Sequence, residues 1–328
     1  MMKAVLQNSF GPPTKVLSIG EVPQPEIQNP GDVLVKIKSS TVNTPDWIST
    51  LGIPYIIRPV FGGLRGPRNR LLGSDVAGIV EQVGSDVNQF QAGDAVFGCF
   101  KEAETTSSLG TFAEYAVIPA SRLLKKPQSV SFHDAASCVM SGCTAFCAVQ
   151  AMKITPGSHI LINGASGSVG TLALQMAKAQ GATVTAVCSG KNAEMMKEIG
   201  ADYVIDYTKE DFTKSSKKYD VVLDNVLNRS YKEMLRVLKA DGYIIPNSVG
   251  TSRGNWCGAI PAMIAKPRNS PLIDCDCSPC NLEAVVGMVE SGKVRILTDK
   301  VFDLDHVPEA IEYMSTLRAR GQVVIQIN

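Results

Sequence analysis

The sequence predicts a mixed α/β chain in two parts, a compact all-β, barrel-like domain followed by a doubly wound parallel sheet. Residues 1–122 are short alternating apolar runs broken by Gly and Pro, the pattern of a small β-domain. From residue 123 onward strand-like and helix-like runs alternate, as they must when helices cover both faces of a parallel sheet. The length of 328 residues also calls for more than one core, because single cores stop growing at roughly 250–300 residues. The expected divisions are therefore 1–122, 123–260 and a C-terminal segment, 261–328.

Taken in order, Val33–Ile37 and Val76–Val83 alternate, and Gly84 ends the second run. Asp94–Phe97 follows Ala92–Gly93, and Thr111–Ile118 runs to Pro119. Residues 51–70 break the pattern with a long Gly/Pro stretch that is both apolar and basic. Loops of that length are usually functional; a lid or substrate wall, a solvated surface loop and a patch for an acidic partner all fit. Ser131–Met152 reads as two helical pieces, with Ser131 or Asp134 as the cap. Strands are expected at 159–163, 183–187, 203–206, 220–224 and 242–246, with helices near 169–180, 191–199 and 230–239. Further on come a strand at Pro271–Ile273, a helix at Asn281–Ser291, a strand at Val294–Leu297, a helix at Val307–Leu317 and a last strand at Val323–Ile327.

Composition narrows the function. With 45% hydrophobic and 19% charged residues and a net charge of +1, the chain has the profile of a soluble globular enzyme. It offers no electrostatic case for nucleic acid or an anionic membrane. No apolar run approaches the ~20 residues of a membrane span. Met1–Gln7 is strand-like at once, with no secretory h-region. The nine cysteines are an odd number, scattered along the chain, which favours reduced thiols. The expected compartment is cytoplasmic, with import into an organelle without a cleaved presequence left open.

The chemistry concentrates at residues 159–170. The apolar run His159–Ile162 reads as a buried strand. It enters Gly164, Ala165, Ser166, Gly167, Ser168, Val169 and Gly170, after which Val169, Leu172, Ala173 and Met176 fall at helical spacing. Strand, glycine turn and helix form the start of a dinucleotide-binding βαβ unit. Gly167 would let the backbone approach a pyrophosphate held at the helix N-terminus, and Gly170 would let helix and strand pack closely. The usual first glycine is Ala165, so the match is AxGxxG.

An acid about 20 residues past such glycines would bind the ribose 2′-hydroxyl of NAD. The second strand instead ends in Cys188, Ser189, Gly190, Lys191 and Asn192, with no carboxylate. A 2′-phosphate would find the Ser189 hydroxyl and the Lys191 ammonium, so the expected cofactor is NADPH. Lys191 as a plain solvated lysine is the alternative. Tyr207 would stack beside the adenosine or serve as an ordinary surface tyrosine. Asn225, Asn247, Ser248, Val249 and Gly321 fall at strand ends and a C-terminal turn, where such nucleotides lie.

Further motifs extend over nearly the whole chain: Val42-Asn43-Thr44-Pro45-Asp46-Trp47, like VNPxDW; Gly73-Ser74-Asp75-Val76-Ala77-Gly78, like GxDxAG; Ala92-Gly93-Asp94; Phe112-Ala113-Glu114-Tyr115; and Gly142-Cys143-Thr144-Ala145, like GxTA. On these the chain resembles the zinc-free quinone oxidoreductases of the medium-chain dehydrogenase/reductase superfamily, the chloroplast envelope quinone oxidoreductase homologues among them. The resemblance implies a GroES-like first domain and a Rossmann second domain. It also implies a C-terminal segment that completes the Rossmann edge and rejoins the first domain, and a homodimer paired through an edge such as Pro271–Ile273. Asn43 and Thr144 are implied as neighbours of the nicotinamide ribose, with Asp46 beside them or simply bonding backbone. Tyr55 is a weaker candidate, as a donor, a substrate wall or packing.

Zinc members of the superfamily carry a catalytic Cys and a His-Glu pair where this chain has Asn43 and Ser74-Asp75, and Asn and Ser are poor zinc ligands. His133, His159 and His306 are dispersed. No metal is expected. Cys275-Asp276-Cys277-Ser278-Pro279-Cys280 contains a CxxC; it reads as reduced half-buried cysteines, as thiols reactive toward electrophiles, or as a metal or redox site. Without a Lewis acid, alkoxide chemistry lacks support, whereas a quinone, enone or enal spreads the arriving charge onto its carbonyl oxygen. The reading is an NADPH-dependent reductase of quinones or α,β-unsaturated carbonyls. An enoyl or alkene reductase tailoring a specialised metabolite, and a non-catalytic NADPH-binding scaffold or redox sensor, are its alternatives.

Overall fold

The computed structural model describes residues 1–53, 67, 72–100, 110–247, 273 and 275–328. In chain order its strands are β1 (Met2–Gln7), β2 (Leu17–Val22), β3 (Asp32–Thr41), β4 (Asp75–Val83), β5 (Ala95–Cys99), β6 (Tyr115–Pro119), β7 (Leu123–Lys125), β8 (His159–Asn163), β9 (Thr183–Cys188), β10 (Tyr203–Asp206), β11 (Tyr219–Asp224), β12 (Leu238–Pro246), β13 (Thr298–Asp303) and β14 (Gln322–Gln326). The α-helices are α1 (Pro13–Val16), α2 (Thr44–Leu51), α3 (Phe132–Ser137), α4 (Cys143–Ala151), α5 (Ser168–Ala179), α6 (Ala193–Glu198), α7 (Tyr231–Met234), α8 (Pro279–Glu290) and α9 (Val307–Ser315).

The first compact unit comprises Met1–Cys143, Cys277–Glu290 and Thr298–Asn328. Its main sheet runs β13-β14-β3-β4-β5-β7, with β6 also paired to β3. Strand β3 is buried along most of its length, on both faces, beyond the one-sided burial that its alternating run Val33–Ile37 predicts. Val35, Ile37, Val76, Val80 and Ile118 share one core with Val323 and Ile325 of β14, so the last strand is part of this unit. The unit extends past the expected boundary at residue 122 because α3 packs on β3 and β4. Ser131 caps α3 by accepting from the Asp134 N–H at 3.0 Å. A π-helical turn, Cys138–Gly142, then leads into α4.

The second unit, Thr144–Asp276 with Ser291–Leu297, holds the parallel sheet in the order β10-β9-β8-β11-β12. The order reverses between β8 and β11, the switch point where doubly wound sheets open a ligand crevice. Leu161, Val187, Val222 and Ile244 from four of these strands form the core with Phe212.

Several expected elements differ. The helix expected at 230–239 is only α7 and one 3₁₀ turn, Leu235–Val237, because Leu238 already pairs with Tyr219 of β11. The strand expected at Val294–Leu297 does not form. There the Gln175 side chain donates to the Arg295 carbonyl at 2.9 Å and accepts its N–H at 2.8 Å, taking the place of a strand partner. Thr111 and Phe112 stand outside β6 because their N–H groups bond to Gly73 and Leu72. Helix α2 was not expected and takes up Leu51. Most of the 51–70 stretch lies outside the described residues, as do Pro271 and Leu272; Ile273 is in no strand.

Candidate functional site

In the second unit β8 delivers the chain into the glycine turn. Gly164 has φ +74°, the left-handed region that glycine occupies without strain. A Cβ on Gly170 would stand 2.3 Å from the Gly164 carbonyl oxygen, so this residue must be glycine for α5 to pack on the turn. A Cβ on Gly167 would meet nothing nearer than that same oxygen at 3.6 Å. Gly167 is the N-cap of α5, so the helix start lies under a backbone with no side chain over it. Ala165 is fully buried, and its N–H bonds to the Val187 carbonyl at 3.1 Å. Ser168 and Val169 form the first turn of α5.

Ser189, Lys191 and Tyr207 come together at the ends of β9 and β10. Ser189 precedes the 3₁₀ turn Gly190–Asn192, which carries Lys191 exposed. The Tyr207 N–H bonds to the Cys188 carbonyl at 3.1 Å, and its ring is 53% exposed. Asn192 ties this turn to the glycine turn, its Nδ2 donating to Ser166 Oγ at 3.0 Å. One expectation is corrected here: a carboxylate does stand at the end of β9. The parallel register sets Asp206 of β10 opposite Cys188, and its carboxylate lies against Gly190, where a Cβ would stand 2.3 Å from Oδ2. The residue is distant in sequence, and only strand pairing brings it in.

Asn225 and Asn247 also meet, at the ends of β11 and β12. Asn247 Nδ2 donates to Asn225 Oδ1 at 2.7 Å. Beneath them Asp224 is buried and accepts from Asn163 Nδ2 at 2.8 Å and from the N–H groups of Val226 and Leu227. Burial raises its carboxyl above the ordinary range. Asn225 Nδ2 and Asp224 Oδ2 are buried without a partner. Ser248 and Val249 lie outside the described residues.

The first unit contains a second polar cluster. Asp75, fully buried at the start of β4, accepts from Asn43 Nδ2 at 2.8 Å, from Thr41 Oγ1, and from the Met140 N–H of the π-helical turn at 3.1 Å. Ser141 Oγ donates to Asn43 Oδ1 at 3.2 Å. The Asn43 N–H donates to Asp46 Oδ2 at 2.7 Å, the reach-back bond of a capping box at the start of α2. Burial pushes the Asp46 carboxyl up to about 7, with the Asp75 charge adding to the rise. Burial pushes Asp75 up to about 6 against four hydrogen bonds that favour its charged form. Gly321 is also in this unit, with φ +102° before β14. Thr144 belongs to the second unit and is buried in α4. Tyr55 lies outside the described residues.

Among the described residues no group of three or more His, Cys, Asp or Glu side chains is placed to hold a metal ion. Cys277 is buried with its thiol 3.8 Å from the Val139 carbonyl, while Cys275 is half-buried and Cys280 exposed.

Comparison with known proteins decides the family. Residues 29–128 match the alcohol dehydrogenase GroES-like domain and residues 199–325 the zinc-binding dehydrogenase family. The mouse mitochondrial NAD(P)H oxidoreductase RTN4IP1 is 31% identical over 92% of this chain and 83% of its own length. The tomato 2-methylene-furan-3-one reductase is 31% identical over 99% and 79%. The Arabidopsis thaliana chloroplast envelope quinone oxidoreductase homolog is 30% identical over 99% and 98%. The solved quinone oxidoreductase of Coxiella burnetii superposes with a TM-score of 0.85 at 29% identity, covering 100% of this chain and 99% of that one.

The chain belongs to the medium-chain dehydrogenase/reductase superfamily, in its quinone oxidoreductase-like branch. Its first unit is the GroES-like domain and its second the Rossmann domain. As a member of this branch it is an oxidoreductase with a nicotinamide cofactor. No helix among the described residues is long and apolar enough to cross a membrane.

Within this medium-chain reductase, the sequence reading missed Thr41, Asp75, Ser141, Asn192 and Asp206 as site residues. Asp75 is legible in GxDxAG, where it stands in the place of the glutamate of the zinc members' His-Glu pair. The Asn-x-x-Asp spacing of Asn43 and Asp46, with Pro45 inside the first turn, is a helix-start signal that would have found α2.

Proposed function

We propose that this chain is an NADPH-dependent reductase of quinones and α,β-unsaturated carbonyls that works without a metal ion. The observation that carries the reading is the glycine turn. Gly170 is locked against Gly164 while Gly167 leaves the start of α5 open, which suits a pyrophosphate held by helix N–H groups. Ser166, Gly167, Ser168 and Val169 would hold it, with Gly164 and Ala165 shaping the turn. Ser189 and Lys191 would take the 2′-phosphate and Tyr207 the adenosine face. Asn225, Asn247, Ser248, Val249 and Gly321 would line the rest of the nucleotide, and Asn43, Asp46 and Thr144 the nicotinamide ribose. Bound there, the cofactor supplies a hydride to a quinone or to the β-carbon of an enone.

Charge then gathers on the substrate carbonyl oxygen, where hydrogen-bond donors lower the barrier. Asn43 suits that task. One Nδ2 hydrogen is committed to Asp75, while the contacts of Nδ2 with Thr41 are long, at 3.3 and 3.4 Å, so its second hydrogen is only weakly held. Tyr55 would be a donor or a wall. Metal independence is supported by the donor chemistry. Asn43 and Ser74 are poor zinc ligands, and the Asp75 oxygens already accept from Asn43, Thr41 and Met140. Zinc does not fit this set.

A homodimer is proposed from the family resemblance, with sedimentation velocity as its check. The reducing compartment of the reading, the cytoplasm, follows from nine scattered cysteines, an odd number; the names of two relatives assign those proteins to the mitochondrion and the chloroplast. The tomato relative's name favours a second reading, an enone-type alkene reductase tailoring a specialised metabolite. Initial rates with NADPH and NADH in parallel, across simple quinones, long-chain enones and enoyl thioesters, test both. Turnover of quinones and simple enones with NADPH is expected. Turnover of enoyl thioesters alone would favour the tailoring role, and binding without turnover of any acceptor would leave a scaffold.

A further inference from the structure

The Asp206 carboxylate at the end of β10 is held from within the protein. Oδ1 accepts from the Thr208 N–H at 3.0 Å and from Thr208 Oγ1 at 2.7 Å. Lys209 Nζ stands 3.8 Å from Oδ2. A Cβ on Gly190 would lie 2.3 Å from Asp206 Oδ2 and 3.1 Å from its Cγ, so glycine is what lets the carboxylate close on the turn. At its other end the same turn is held by Asn192, whose N–H bonds to the Ser189 carbonyl at 2.9 Å and whose Nδ2 donates to Ser166 Oγ at 3.0 Å. Lys191 lies between these two anchors and Ser189 directly before them.

We propose that Asp206 is a positioning residue for cofactor specificity: it clamps the Gly190 turn so that Ser189 and Lys191 are presented to a 2′-phosphate, rather than offering its own oxygens to a ribose hydroxyl. An acid that reads a ribose must keep acceptor positions for the ligand; here Oδ1 is taken by both donors of Thr208 and Oδ2 is packed against Gly190. The side chain is 16% exposed, which suits a strut under the turn better than a group reaching into solvent for a ligand. A bare carboxylate at this place would repel a phosphate; with N–H and O–H donors and Lys209 gathered on it, its field toward the turn is reduced. The inference rests on the reading of the second unit as an NADPH-binding unit.

Calorimetric affinities for 2′,5′-ADP and 5′-AMP, measured on the full chain, test the clamp without reference to activity. Asp206→Ala removes the carboxylate. Gly190→Ala keeps the charge but displaces it from the turn, and Thr208→Ala removes one of its donors as a milder lesion. Melting curves check that each variant is folded. Asp206→Ala and Gly190→Ala are both expected to weaken 2′,5′-ADP by about tenfold and to leave 5′-AMP within about twofold, with Thr208→Ala shifted in the same direction. Tighter 2′,5′-ADP binding by Asp206→Ala would overturn the clamp and make the residue a simple repulsive charge. A wild-type preference for 2′,5′-ADP that the variants retain in full would overturn the clamp alone. No gain from the 2′-phosphate in the wild type would overturn the NADPH reading, and the clamp with it.

Discussion

Asn43 links two buried carboxyl groups: its side-chain amide donates to Asp75 at 2.8 Å and its backbone N–H to Asp46 at 2.7 Å. No ion pair to either carboxyl is formed by a described Lys, Arg or His residue. The GroES-like unit therefore holds two acids in a low-dielectric pocket with hydrogen bonds alone, and its stability depends on their protonation.

The sign of that dependence is set by the raised values. Both groups ionise near 3.9 in the unfolded chain but at about 7 (Asp46) and about 6 (Asp75) in the fold. Between those limits the folded state holds more protons, so stability is full below pH 4 as far as these groups are concerned and falls as pH rises to 7. The loss should be roughly a few kcal/mol for the pair. Melting temperature is expected to decline from pH 5 to pH 8, and Asp46→Asn should flatten the decline. His306, raised by Asp303, loses its small surface contribution as pH rises above about 6.5, so His306→Gln is run alongside. An unchanged slope in Asp46→Asn would contradict the assignment.

Gly170 and Gly167 should respond differently to the same methyl group. Gly170→Ala drives a Cβ to 2.3 Å from the Gly164 carbonyl and 2.8 Å from Ala165 backbone, atoms that cannot step aside. A loss of about 2–3 kcal/mol is expected in urea unfolding. Gly167→Ala has room, so it should keep near-wild-type stability and weaken NADPH binding instead. Equal destabilisation of both would count against the geometry of the turn.

Lys191 carries the 2′-phosphate assignment. Lys191→Ala should raise KM for NADPH about tenfold through the loss of one charge-assisted bond, with kcat and the NADH parameters little changed. Steady-state kinetics with both cofactors read this directly; parallel losses for NADPH and NADH would mean that the lysine does not read the phosphate.

Gln175 satisfies the backbone of Arg295 at both its N–H and its carbonyl while its Nε2 also donates to the Thr171 carbonyl at 3.0 Å. Gln175→Ala strands those groups and should cost about 1–3 kcal/mol. Chemical unfolding with an unchanged m-value is the check.

What the residues disclosed in advance follows from how local each signal is. The run from His159 to Gly170 carries its strand, turn and helix in consecutive residues, so the Rossmann start was legible, as were β9, β10 and the Ser131 cap. Asp206 was not, because its place beside Gly190, 16 positions earlier in the chain, comes from strand register rather than from spacing. The strand expected at Val294–Leu297 failed for a similar reason: its backbone is taken by a glutamine 120 residues away. The shortening of the helix at 230–239 reflects tertiary pairing overriding helical propensity. In the GroES-like unit, Asn43 was found through a motif, whereas Ser141 and the Met140 N–H reach the cluster only through the π-helical turn, a device common at functional sites and without a sequence signature here.

The central claim is a reduction driven by a phosphorylated nicotinamide nucleotide with no ion assisting. The most direct test is the initial rate of NADPH oxidation with 9,10-phenanthrenequinone, measured on protein exhaustively treated with a chelator and analysed for zinc. The account predicts undiminished turnover at negligible metal content, with NADPH preferred to NADH. Turnover lost on chelation and restored by stoichiometric zinc, or no NADPH oxidation with any conjugated acceptor, would contradict it.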